Sequence, residues 1–124
     1  MRVSRTVIVG RDEVLLDHVE TALALWDRFR GLMLRKELPA GQGLLLPDCR
    51  SIHMFFMGFP IDLVYLDGEN RVVKIVPGIK PWRVSLCTSA RSVLEMPAGR
   101  AEEARLAVGD ELRFDRTDKA LFPG

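Results

Sequence analysis

Ser51-Ile52-His53-Met54-Phe55-Phe56-Met57-Gly58-Phe59-Pro60-Ile61-Asp62-Leu63-Val64-Tyr65-Leu66-Asp67-Gly68-Glu69-Asn70-Arg71-Val72-Val73-Lys74-Ile75-Val76-Pro77 is an apolar run in which one histidine and one aspartate stand out. Pro60 opens the strand Ile61 to Leu66, a place where a missing N–H costs no ladder bond. Asp67-Gly68-Glu69-Asn70 carries turn chemistry, and Arg71 to Val76 returns. In an extended chain alternate side chains point to opposite faces. Ile61, Leu63 and Tyr65 then share one face, and Asp62, Val64 and Leu66 the other. A strand apolar on both faces is expected at the centre of a sheet, and the whole stretch reads as an apolar hairpin.

The same reading extends outward. Residues 2–9 and 13–19 flank Gly10-Arg11-Asp12 as a second hairpin. From Ala22 the period changes: Leu25, Trp26, Phe29, Leu32 and Met33 recur at spacings of three and four, which predicts an amphipathic helix of about three turns. Pro39-Ala40-Gly41-Gln42-Gly43 ends it, Leu44-Leu45-Leu46 is a short buried strand, and residues 51–56 are another. Pro77-Gly78 and Pro81 predict a surface loop over residues 77–89. Strands at Ser92 to Met96 and Glu111 to Phe114 bracket a short helix at Gly99 to Leu106. The fold class expected is mainly β (α+β): a small antiparallel β-barrel-like or curled sheet of about seven strands, one amphipathic helix and one short helix. Residues 1–124 make a single domain, with 115–124 a loosely ordered tail.

Composition is that of an ordinary globular chain, 48% hydrophobic and 28% charged. Eighteen basic residues against seventeen acidic leave a net charge of +1, so bulk charge favours neither nucleic acid nor a membrane surface. The three-residue apolar run near the N-terminus is too short for a signal peptide or a membrane span, and the expected location is cytoplasmic. Charge is nevertheless clustered. Arg71, Lys74, Lys80, Arg83 and Arg91 lie between Asn70 and Leu94 without one carboxylate, and Arg28, Arg30, Arg35 and Lys36 form a second cluster.

Five short motifs occur in order: Arg30-Gly31-Leu32-Met33, Phe59-Pro60-Ile61-Asp62, Val64-Tyr65-Leu66-Asp67, Val93-Leu94-Glu95-Met96-Pro97-Ala98-Gly99 and Val108-Gly109-Asp110. Together they resemble the prokaryotic family called domain of unknown function 192, over a core of about residues 20–114. The resemblance implies a compact, mainly β domain with no established activity, some members being exported. His53-Met54 stands where many members carry Trp-Met.

Candidate chemistry centres on His53 and Asp62. A buried carboxylate needs a partner, and Arg30 or His53 could supply one, leaving Asp62 either a structural anchor or a pocket group. Cys49 precedes His53 by four positions, about 13 Å on an extended strand and too far for a direct thiolate–imidazole bond. Cys49, Cys87, His53 and Asp62 include zinc-type ligands, but their spacing matches no closed site, so no metal is expected. Trp82 between Lys80 and Arg83 could stack on or hold an anionic group. Dinucleotide, phosphate-loop and hydrolase-elbow signatures are missing, and no cofactor is expected. The expected function is a ligand- or protein-binding accessory module. Its pocket would lie near His53 and Asp62, with Cys49, Arg30, Trp82, Lys80 and Arg83 as further ligand-binding residues. The partner would be a small anionic or polar ligand or a protein, and the chain a monomer or weak homodimer. The alternatives are a hydrolase-like enzyme using His53 and Asp62 as acid and base, and an interaction protein using the Phe55 to Phe59 run.

Overall fold

A computed structural model describes residues 2–22, 38–53 and 58–118. The expected amphipathic helix, with Arg30, and residues 55–57 of the expected contact patch lie outside the described residues.

Among the described residues the elements are β1 Arg2–Ile8, β2 Glu13–Thr21, β3 Gln42–Pro47, β4 Ser51–His53, β5 Ile61–Leu66, β6 Val72–Ile79, β7 Val84–Leu86, β8 Ser92–Pro97, a one-turn helix α1 Arg100–Glu103, and β9 Leu112–Arg116. Seven strands form one sheet in the order β6-β5-β8-β3-β2-β1-β9, and β4 with β7 forms a separate ribbon. The large sheet is antiparallel except between β2 and β3, which run parallel. It curls until its two edges meet. Arg71 and Glu111 bridge them, with Val72 N–H on the Asp110 carbonyl at 2.8 Å and Leu112 N–H on the Asn70 carbonyl at 2.9 Å.

β5 is not at the centre of the sheet but one strand in from its edge, between β6 and β8, and its two faces build two cores. All six residues are buried. Ile61, Leu63 and Tyr65 join Leu44, Leu46, Ile52, Ile79 and Val93 on one side. Val64 and Leu66 join Ile8, Leu15, Leu16, Val19, Leu94, Met96 and Leu112 on the other, where Ala101, Ala104 and Leu106 also pack. Burying side chains on both faces of one strand is what an unbroken apolar run produces.

Several expectations are corrected. The hairpin within residues 51–77 is β5 with β6 alone, and β4 pairs instead with β7. β7 arises inside the expected 77–89 loop, and β6 runs through Pro77-Gly78 to Ile79. Proline is tolerated there because β6 is an edge strand. Against Ile61 and Leu63, two residues apart, stand Ile79 and Val76, three apart, so Pro77-Gly78 forms a bulge. The short helix occupies Arg100–Glu103, less than the expected 99–106, and β9 continues through Arg116.

Candidate functional site

Asp62 is fully buried, and its carboxylate is occupied by backbone donors. Gly78 N–H meets Oδ1 at 2.7 Å, Gly99 N–H reaches both oxygens at 3.2 and 3.1 Å, and Ala101 N–H meets Oδ2 at 3.0 Å. Each donor has a local cause. The bulge at Pro77-Gly78 turns one amide inward at φ +55°, and Gly99, at φ +91°, turns the chain from β8 into α1. The aspartate thus ties the β6 bulge to the first turn of the helix. No guanidinium of a described residue takes part.

The structure does not bring β4 and the Asp62 carboxylate together. Ile52 of β4 packs in the core formed by Ile61, Leu63 and Tyr65, whereas Asp62 points from the opposite face of β5, with Val64 and Leu66. His53 stands on β4 opposite Val84. Beside the loop that Asp62 holds lies an open cleft of about 490 Å³, lined by Val14, Leu15, Asp17, Gly41, Arg100, Glu103 and neighbours. Its one cation, Arg100, is already bound to the carbonyls of Leu15 at 2.9 Å and Val14 at 3.2 Å and to Glu103.

The face beneath the ribbon holds a different set of groups. Glu95 of β8 stands between Leu44 and Leu63 on the neighbouring strands. It is 7% exposed, and among the described residues its carboxyl has no hydrogen-bond partner. Burial without compensation pushes its pKa up to about 7. Tyr65, on the same face, donates its hydroxyl to Ser85 Oγ at 2.9 Å. Burial raises the tyrosine pKa, and the neighbouring Cys49, Cys87 and Glu95 raise it further, against the lowering influence of Ser85.

The two cysteines end the ribbon. Cys87 N–H donates to the Arg50 carbonyl at 2.8 Å and Cys49 N–H to the Arg91 carbonyl at 3.1 Å. Both are free thiols partly packed on the first core, Cys49 Sγ donating to the Ser51 carbonyl at 3.1 Å and Cys87 Sγ lying 3.4 Å from Ser89 Oγ. No group of three metal-ligating side chains forms among the described residues.

Trp82, at φ +67°, is 65% exposed on the turn into β7. Lys80 and Arg83 flank it in sequence and, with Arg91, form no ion pair with a described carboxylate. Lys74 lies 5.8 Å above the Tyr65 ring and donates to the Leu86 carbonyl at 2.9 Å.

Glu95, Tyr65 and Ser85 are not among the site residues expected from the sequence. A signal existed for Glu95: it is the one carboxylate in Val93-Leu94-Glu95-Met96, a run otherwise apolar on both faces, as Asp62 is in β5. Ser85 gave none, because three residues between a proline turn and a cysteine carry too little alternation to declare a strand. Nor did the hydroxyls of Ser4 and Thr6, which are buried in β1 without a partner among the described residues.

No helix among the described residues is long and apolar enough to cross a membrane. Two crystal structures share the fold. One is a protein of unknown function from Novosphingobium aromaticivorans DSM 12444, with a TM-score of 0.78 and 22% identity, covering 90% of this chain and 84% of that one. The other, from Sinorhizobium meliloti 1021, is of a protein provisionally described as a transcription regulator, with a TM-score of 0.77 and 21% identity, covering 92% and 94%. A UPF0127 protein of Thermococcus gammatolerans is 39% identical over 107 residues, 82% of this chain and 69% of its own length. Another from Pyrococcus horikoshii is 36% identical over 91 residues, 70% and 78%. The family model for domain of unknown function 192, described as uncharacterized ACR, matches residues 7–114. The chain therefore belongs to the domain of unknown function 192 family.

Proposed function

We propose that the protein is a small-ligand-binding accessory module whose ligand is held beneath the β4–β7 ribbon by Glu95, Tyr65 and Ser85. The observation that carries this reading is a carboxyl that is buried, has no partner among the described residues and is poised near neutrality beside a buried hydroxyl pair. Such a combination marks a candidate site, because an uncompensated buried carboxyl is destabilising unless a ligand uses it. The fitting ligand is small and polar and offers a hydrogen-bond donor or a positive charge to Glu95. Cys49, on the approach to β4, borders this site, and Asp62 supports the molecule from the other face by holding the β6 bulge to α1. A hydrolase pairing His53 with Asp62 gains no support from this layout, since β4 and that carboxylate lie on opposite sides of β5.

The cleft beside Arg100 favours a second reading, because its size suits a small ligand. Its guanidinium is already bound within the protein, which makes it the weaker of the two. Crystals soaked with small amines, amides and diols separate them. Density for an amine or amide within 3.2 Å of Glu95, lost in Glu95→Gln, supports the ribbon site; occupancy confined to the Arg100 cleft rejects it.

A further inference from the structure

We propose that the open edge of β7 takes up an extended acidic segment of a partner protein, which adds as a third strand to the β4–β7 ribbon. In an antiparallel pair, a residue's N–H and C=O both face the same neighbour, and the direction alternates along the strand. Cys87 donates its N–H to the Arg50 carbonyl, toward β4. Ser85 therefore also faces β4, while Val84 and Leu86 direct their backbone groups to the opposite edge. The Leu86 carbonyl confirms the direction, since the Lys74 ammonium meets it there at 2.9 Å. No strand among the described residues pairs with this edge.

Side chains agree with the backbone. Val84 is 63% exposed, Leu86 56% and Trp82 65%. Three large apolar groups thus accompany an edge with no strand partner among the described residues, the arrangement that proteins usually cover or blunt. Charge selects the occupant. The stretch from Asn70 to Leu94 has five cations and no carboxylate, and Lys80, Arg83 and Arg91 find no described counter-ion. A second copy paired edge to edge would bring Lys80 and Arg83, which lead into β7, of both copies to one seam. A nucleic acid strand would satisfy the charge but not the alternating amides and carbonyls of Val84 and Leu86. An acidic strand with alternate apolar side chains satisfies both, by the same main-chain recognition that other exposed sheet edges use.

The test uses the full chain, isotope-labelled for amide NMR, and three probes: a capped octapeptide alternating glutamate with valine, its lysine–valine counterpart, and an eight-residue oligothymidylate. The glutamate peptide is expected to shift the Val84 and Leu86 amides and to bind at least about tenfold more tightly than the lysine peptide. N-methylation of its alternate residues should weaken binding about tenfold or more. Lys80→Glu with Arg83→Glu alters two exposed side chains and should reverse the preference between the peptides. Equal binding of the two peptides, unchanged affinity after N-methylation, binding of the oligothymidylate but not of the glutamate peptide, or self-association through β7 each overturns the proposal. None of these outcomes depends on Glu95, so the edge and the ligand site stand or fall separately.

Discussion

Two buried carboxylates with opposite solutions decide most of the chemistry. Asp62 is compensated by three backbone amides. Hydrogen bonds to charged groups are worth about 1.5–3 kcal/mol each, and unmade ones cost more than the average bond contributes. Asp62→Ala is therefore expected to cost about 3–5 kcal/mol in denaturant unfolding and to speed amide exchange at Gly78, Gly99 and Ala101. Glu95 has no such help among the described residues. Its pKa near 7 exceeds the usual glutamate value, so the folded protein holds a proton that the unfolded chain releases from about pH 4.5 upward. Stability should then be greatest below that pH, fall as pH rises toward 7, and level off above it. The loss amounts to about 3 kcal/mol, and Glu95→Gln should abolish this slope in urea melts run from pH 4 to 8. Tyr65→Phe removes the donor to Ser85 and should cost about 1 kcal/mol, with Ser85→Ala adding little to it in a double-mutant cycle. The sequence announced Asp62 because it stands alone in an apolar strand. It could not announce the partners, since three backbone amides carry no side-chain signature.

At the level of elements, the β5–β6 hairpin was legible and the ribbon was not. β5 is apolar on both faces, and a strand of that kind fits only between two neighbours. The turn after it is equally plain, for Asp67 Oδ1 accepts the N–H groups of both Glu69 and Arg71 at 2.9 Å, which holds its pKa below the usual carboxylate range. β7 escaped because its three residues are tied to β4 over more than thirty positions of chain, a pairing no local pattern encodes. β3 was legible as a short apolar run but not in its parallel pairing with β2. Gly43 shows how tightly that strand is inserted. A Cβ there would stand 2.9 Å from the Glu95 carbonyl and 2.7 Å from Leu16 Cδ1. Leu16 can turn aside but the backbone carbonyl cannot, so Gly43→Ala should cost about 1–3 kcal/mol, readable as a lowered urea midpoint with an unchanged slope.

Over the whole molecule, curling of the sheet turns seven strands into a body with one core inside and another outside, the ribbon covering the second. The two edges are joined around residues 70–72 and 109–112. If this join is integral to the fold, the Val72 and Leu112 amides should exchange only through global unfolding, with protection matching that of the β5 amides; fast exchange there would mean an open sheet. Family membership follows from the comparisons, and the curled sheet is common to the solved structures. On the proposed reading, the ribbon shelters a carboxyl kept for a ligand rather than spent on the fold. Carboxyl-carbon NMR titration of the full chain, with Glu95 assigned by its glutamine variant, tests it most directly. A midpoint near 7 that falls when a small amine is added is the predicted result. A midpoint near the ordinary glutamate value of about 4.3, unmoved by amines, would mean that the protein itself neutralises Glu95, and would contradict the claim.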